Sequence, residues 1–405
     1  MKVLHVLPSY EPAWAAGGII TATSNLCQAL VKQGLQVTVY TTVADGLGGK
    51  LSVPLGQPVD RGGVKVWYFP YEIGGLRAFY SRELSIHLAK TIKDFDLVHL
   101  AGLWQYLSFA AAGTARAENR PLVVAPHSSL MKHSFYEVGA RFWKKVYWTL
   151  FGEKIIRQAT AVQFLCEGER EESTEFCSAR PSFIVPNGLE PDKYKKDEGK
   201  RTDLRKRLSI PGQAFVLLYS GRINSKKQIE LVIKALPVLL ARGIEAFFVL
   251  VGPVDNQKYY RKLKDLASKL KVENYLRWAG FVSYDQIVGF YSAADVMVLP
   301  SLAEGVSMSS TEAMAASLPL VISDRVANYK EIEADGAGLV VKPEADSLVE
   351  ALLEIALNQK VREKLSEAAR QSVLNRYEIN AVASLMVKAY EDILSGRRSP
   401  ELRWG

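Results

Sequence analysis

PSLAEGVSMSSTEAMAA, residues 300–316, follows the apolar run ADVMVLP and sets two glutamates, Glu304 and Glu312, eight positions apart around Ser, Met and Thr. No Lys or Arg occurs between Asp295 and Arg325, whereas a solvated helix face would normally mix both charges. ADVMVLP reads as a buried strand, and Ser309-Ser310-Thr311 as the cap of a helix that continues through EAMAAS. Glu304 then falls in the strand-to-helix loop and Glu312 in the first helical turn. Both carboxylates point to one crevice at the C-terminal edge of a sheet, where open α/β folds bind ligands. The free N–H groups of Val306, Ser307, Met308 and Ser309 face the same place and suit phosphate. Two carboxylates beside an anion site are useful if they grip hydroxyls, and a nucleotide sugar has hydroxyls at both ends of a diphosphate. Counter-charge comes from YSGRINSKKQIE, where Arg222 and Lys227 follow another strand and offer a planar fork of donors and a mobile point charge.

Along the rest of the chain, short Val/Leu runs alternate with amphipathic stretches in two sets. The first set is VLHVLP, a helix over 18–33, QVTVYTT, VKVWYFP, a helix over 82–93, DLVHLAG and PLVVAPH. The second is FVLLYSGR, a helix over 229–240, FFVLVGP, LRWAGFV, ADVMVLP and LPLVISD. This alternation predicts two doubly wound domains with parallel sheets buried on both faces. IVPNGLEP, with its Pro and Asn-Gly, marks the joint, so the expected domains are 1–187 and 188–382. INAVASLMVKAYEDIL is expected to be a terminal helix within 383–405 and the residues just before it.

At 405 residues, two cores are the natural size. The net charge of +8 is spread evenly, with 19 Lys/Arg against 15 Asp/Glu up to residue 185 and 32 against 28 after it. No basic tail or block results, which argues against nucleic acid as partner. Cys27, Cys166 and Cys177 have neither paired nor metal-site spacing, which favours a reducing cytoplasm. MKVLHVLPSYEP reads as a first strand and not as a signal peptide.

Neither domain carries G-x-G-x-x-G after its first strand. Gly17-Gly18 opens a helix instead, read either as a close backbone approach to an anion or as a plain helix-start turn. GLGGK at 46–50 resembles a phosphate loop only superficially, because Leu51 stands where Ser or Thr is needed. Asp94-Phe95-Asp96 is literally D-x-D but reads as a polar turn before a buried strand.

The tandem layout, Gly17-Gly18, Arg222 with Lys227 five later, and Glu304 with Glu312 eight later resemble the retaining glycosyltransferases of family 4, over essentially the whole chain. The resemblance implies the GT-B fold: two Rossmann-like domains facing across a cleft, with the C-terminal helix crossing back to the first. It implies that domain 188–382 binds a nucleotide sugar and domain 1–187 the acceptor. Arg222 and Lys227 would neutralise the leaving diphosphate, Glu312 would bind the ribose, and Glu304 would lie at the hexose. The N–H groups of Val306, Ser307 and Met308, with Gly17 and Gly18, would complete the cradle. Val282 in the loop 280–282 would help to hold the base, and His127 would contact the donor sugar beside the reaction centre. The sequence departs from the family's common pattern at Val306-Ser307, where Phe-Gly is usual, and at Gln228, where Gly is frequent.

The resemblance further implies a hexosyl transfer to a hydroxyl of a glycan or lipid-linked glycan, with retention, by front-face substitution and without a divalent metal. UDP-glucose or another UDP-hexose is the expected donor, with GDP-mannose next. A Rossmann dehydrogenase, a nucleotide-sugar epimerase and a silent scaffold are the alternatives from other classes. Tyr10, Trp14, His99 and Trp104 are acceptor-side candidates, since aromatic faces suit sugar rings, although aromatic residues near strand ends more often belong to a core. Residues 132–158 mix Trp143, Tyr147, Trp148 and Phe151 with Lys and Arg, which reads either as a helix covering the first sheet or as one lying on anionic lipid at the inner membrane face.

Overall fold

A computed structural model describes residues 1–46, 48–72, 79–137, 141–177 and 180–396. Its backbone divides into two compact units, Met1–Leu189 with the chain from Ile379 onward, and Glu190–Glu378. The joint thus lies two residues beyond the expected 187/188, and the return to the first unit begins at Ile379 and not at 383.

The first unit holds an eight-stranded sheet built from β1 (Lys2–Val6), β2 (Gln36–Thr42), β3 (Val59–Arg61), β4 (Val64–Phe69), β5 (Leu97–Ala101), β6 (Leu122–Ala125), β7 (Ala161–Phe164) and β8 (Ser182–Ile184). Their order is β3-β4-β2-β1-β5-β6-β7-β8. Every pairing is parallel except β3 with β4. β5 is buried at all five positions, LVHLA, as a strand covered on both faces must be. The helix Ile379–Leu394 packs into the same core: Ile379, Val382, Met386 and Tyr390 join Val3, Leu7, Leu30 and Val37 in one buried cluster.

The second unit holds six parallel strands, β9 (Phe215–Ser220), β10 (Ala246–Val251), β11 (Leu276–Gly280), β12 (Val296–Leu299), β13 (Leu320–Ser323) and β14 (Gly338–Val341), in the order β11-β10-β9-β12-β13-β14. The chain runs outward from β9 through β10 to β11, then crosses to β12 on the other side of β9. The order therefore reverses between β9 and β12, and in open α/β sheets the crevice at such a reversal takes the ligand. In the first sheet the reversal lies between β1 and β5.

β3, β7, β8 and β14 have no counterpart in the strands expected from sequence. They have only three or four residues, and β3, β8 and β14 leave residues half-buried or exposed, too little for an apolar run to show. Among the described residues no helix is long and apolar enough to cross a membrane.

Candidate active site

The loops after β9 and β12 bring the second unit's charged candidates to the reversal point. Near the end of β9, Tyr219 donates its hydroxyl to the Arg222 carbonyl at 2.8 Å, and beyond the strand the Asn224 side chain caps the short turn Ser225–Lys227. Arg222 is exposed. Lys227 is turned inward, and its ammonium donates to Glu304 Oε2 in an ion pair whose side chains are only 15% and 21% exposed. Burial, helped by the like charges of Arg222 and Lys226, pushes the Lys227 pKa down to about 7. The Glu304 carboxylate against it acts in the opposite direction and holds the proton in place.

Glu304 is fixed through its backbone. Its N–H donates to the Arg325 carbonyl at 3.2 Å, and its carbonyl accepts from Ala327 N at 2.9 Å. Leu302 N donates to the Lys226 carbonyl at 2.8 Å, so the loops after β9, β12 and β13 are stitched together. The helix after β12 runs from Met308 to Ala315 and is capped by Ser307, whose side chain accepts from Ser310 N. This corrects the expected cap at Ser309–Thr311 and moves Glu312 from the first helical turn to the second. Ser309 is occupied elsewhere, donating to the Ser220 carbonyl at 2.8 Å at the end of β9. Ser310 N and Thr311 N are taken up by the Ser307 side chain and carbonyl, which leaves the N–H groups of Met308 and Ser309 at the helix start, at the same strand edge.

Glu312 Oε2 accepts from the Tyr291 hydroxyl at 2.7 Å. Burial raises its pKa to about 7, against the effect of the Tyr291 and Tyr194 hydroxyls, which favour the charged form. Neither tyrosine was legible as a site residue: they come from the helix Tyr284–Ala293 and the turn Pro191–Tyr194, with no spacing that ties them to Glu312. Gln228 lies at φ 50°, ψ 37°, the left-handed region, which explains why glycine suits this place. At the end of β11, Gly280 has φ 70° and its carbonyl accepts from Gly252 N at 2.7 Å. Val282 follows, half-buried, after Phe281, which is 55% exposed.

In the first unit, Gly17 precedes the helix Gly18–Lys32 at φ 111°, a conformation L side chains rarely adopt, although a Cβ there would meet nothing within 4 Å. Backbone conformation, not space, demands this glycine. Gly46 of GLGGK packs on Ala16, where a Cβ would come within 2.4 Å of its backbone; Leu47 lies outside the described residues. Gly46 thus supports the Gly17 loop by close packing.

His127 and Ser128 after β6 both have positive φ, 49° and 63°, a pair of strained conformations of the kind held at functional loops. Glu169, fully buried, holds this loop: its carboxylate accepts from Ser128 N and from Leu165 N at 2.8 Å. Burial raises Glu169 to about 7 and lowers His127 to about 4. Glu169 was not singled out in the sequence; it is one of several acids in EGEREESTE, and only the fold distinguishes it. Asp96 accepts from Lys2 N at 2.7 Å, so the D-x-D run pins the start of β1.

Burial takes two acceptor candidates out of that reading. Tyr10 is fully buried and His99 is 2% exposed, with His99 Nδ1 2.6 Å from the Tyr390 hydroxyl. Trp104 is partly buried against Phe135 and Tyr147. Trp14 is 40% exposed.

The sequence profile of a glycosyl transferase 4-like domain matches residues 17–188, and that of glycosyl transferases group 1 matches residues 200–372. An uncharacterized glycosyltransferase of Methanocaldococcus jannaschii is 28% identical over 211 residues, 51% of this chain and 53% of that protein. The chain thus spans about half the length of that relative. A D-inositol 3-phosphate glycosyltransferase of Saccharomonospora viridis is 24% identical over 424 aligned positions, covering 98% of this chain and 95% of the relative. Among solved structures, Anabaena HepE in complex with UDP-glucose matches with a TM-score of 0.77 at 18% identity, over 97% of this chain and all of that one (100%). Two parallel-sheet α/β units, both profiles and these likenesses agree: the chain belongs to the family 4 type of glycosyltransferases, with the GT-B fold.

Proposed function

We propose that the protein transfers a hexose from a nucleotide sugar, UDP-glucose or another UDP-hexose, to a hydroxyl of a glycan or lipid-linked glycan, with retention at the anomeric carbon. The observation that carries this reading is the convergence of Arg222, Lys227, Glu304 and the Met308 helix start on the reversal between β9 and β12. Cations and free N–H groups suit the diphosphate, and carboxylates suit the sugar hydroxyls. In the reaction, the bond from the acceptor oxygen to the anomeric carbon forms as the bond to the diphosphate breaks, and the acceptor's proton passes to a leaving phosphate oxygen. The protein then supplies position and charge stabilisation. UDP is favoured over GDP because HepE was solved with UDP-glucose.

The test is thermal stabilisation by UDP, GDP and their sugars, in the wild type and in Glu312→Ala and Arg222→Ala. A ligand present at a hundred times its dissociation constant should add about 2.7 kcal/mol. Stabilisation by one nucleotide, lost in both variants, supports the site and names the base; a protein that responds to none of them contradicts it. Because Arg222 and Lys227 can take the place of a metal on the diphosphate, turnover should persist in excess chelator. Complete loss of turnover that manganese restores would refute metal independence.

A membrane-borne acceptor fits the surface of residues 141–158. Phe142 is 70% exposed, Trp143 59% and Leu150 44%, with Lys145 and Lys154 exposed among them. Val138 to Ala140 of the longer stretch lie outside the described residues. Apolar side chains flanked by lysines suit an anionic leaflet, and we place the enzyme at the cytoplasmic face. Phe142→Ser/Trp143→Ser should lose flotation with phosphatidylglycerol vesicles. Equal flotation of variant and wild type excludes this surface.

A further inference from the structure

The opposite edge of the first unit's sheet carries a concentration of positive charge that the transfer reaction does not use. Arg116, Arg120, Arg157 and Arg180 line an open depression of about 550 Å³, together with Gln158 and Thr160 and with no acidic side chain in its wall. Pro121 and Thr160 immediately precede β6 and β7, so the depression lies at the N-terminal edge of these strands, whereas His127 follows β6 at the other edge. The four residues of β6 separate the two edges by roughly 13 Å. The depression is therefore distinct from the His127 loop.

The arginines are held in place without being neutralised. Arg157 pairs with Glu153 at 2.6 Å, both largely solvent-exposed, a contact of little energetic worth. Arg180 donates to the Arg157 carbonyl, which fixes its guanidinium beside the others. Among the described residues Arg116, Arg120 and Arg180 have no ion-pair partner. Arg120 Nε and Gln158 Oε1 are buried and lack a hydrogen-bond partner, an arrangement that leaves a donor and an acceptor unsatisfied in the wall. Arg116 and Arg157 stand in the last turns of the helices Tyr106–Ala117 and Glu153–Gln158, where a cation answers the helix dipole. That explanation does not reach Arg120 or Arg180, which lie outside any helix.

We propose that these four arginines form a second anion site, one that takes a phosphate-bearing ligand at the N-terminal edge of β6 and β7. Guanidinium forks match phosphate oxygens in pairs, and the depression has room for the organic body that carries the phosphate. That body is either a lipid headgroup or a soluble phosphate ester, and the chemistry of recognition is the same.

Calorimetric titration of the full chain with inorganic pyrophosphate at low salt tests the proposal, with Arg120→Gln/Arg180→Gln and the exposed single variant Arg116→Glu compared with wild type. Two equivalents should bind to the wild type, one of which is lost or weakened at least tenfold in both arginine variants. Arg222→Ala should remove the other. If only Arg222→Ala changes nothing, the donor-site reading fails and this one stands. Flotation with phosphatidylglycerol vesicles, against phosphatidylcholine vesicles, separates the sources: flotation weakened by Arg116→Glu identifies a lipid headgroup, and unaltered flotation with the lost equivalent identifies a soluble ester. Pyrophosphate binding and flotation both unchanged in the arginine variants would overturn the site.

Discussion

Lys227→Ala is expected to lower kcat/KM for sugar transfer by about 10²–10³-fold, the range typical for losing one group that stabilises charge developing on a leaving oxygen. The ammonium sits on a turn capped by Asn224 and is only 15% exposed, so its field acts where water cannot screen it. A second readout tests the electrostatics rather than the fold. Because Lys227 works in its charged form, activity falls as pH rises through its pKa, and Glu304 keeps that pKa up. Glu304→Gln should therefore shift the alkaline limb of the pH profile to lower pH, in addition to any loss of sugar binding. A Lys227→Ala enzyme with kcat/KM within threefold of wild type, or an alkaline limb unmoved in Glu304→Gln, would remove Lys227 from the leaving-group role.

Burial decides how much of this structure is legible in the sequence. Strands such as FVLLYS and AFFVLV are buried at all six positions, so their apolar runs announce themselves, and the two alternating sets lead to two parallel sheets. The strand order, and with it the reversal point, was not legible; the loops carrying Arg222, Lys227 and Glu304 were grouped by their place at strand C-terminal ends and by the family resemblance. Capping was less legible. Ser307, Ser309, Ser310 and Thr311 all bear hydroxyls suited to a cap, and the choice of Ser307 depends on the loop's three-dimensional course, with Ser309 reaching back to Ser220. The residues around the carboxylates were not legible at all. Tyr291 meets Glu312, and Glu169 meets Ser128, through tertiary packing with no periodic signature. The same blindness left His99 and Tyr10 open between sugar contact and core, and burial places them in the core.

Mild acid should act in opposite directions on the two units. In the first, His5 and His99 are 1% and 2% exposed and stack with ring centroids 4.6 Å apart. The Tyr390 hydroxyl lies 2.6 Å from His99 Nδ1 and 3.4 Å from His5 Nε2, which ties the helix Ile379–Leu394 to β1 and β5. Burial pushes His5 down to about 3 and His99 well below its ordinary value, because a proton on either ring would place charge in an apolar core. Their folded pKa values lie below the unfolded value near 6.5. The stability they contribute is thus complete above that pH and is lost as pH falls from it. Glu169 works against them: raised to about 7, it gains stability as it is protonated down to about pH 4.5. Two buried histidines outweigh one buried glutamate, so the first unit loses stability between pH 6.5 and 4.5. His127, also lowered, adds to the loss. In the second unit Glu312, raised by burial, makes the fold more stable over the same interval, while Lys227 has already been protonated. Thermal unfolding followed by hydrogen exchange at pH 6.5 and 4.5 should show protection falling in β1, β5 and the C-terminal helix and rising around the Met308 helix. His5→Asn should flatten the acid slope of the first unit, and Glu312→Gln should abolish the gain in the second. Parallel acid responses in the two units, unchanged by these substitutions, would refute the assignment of the buried groups.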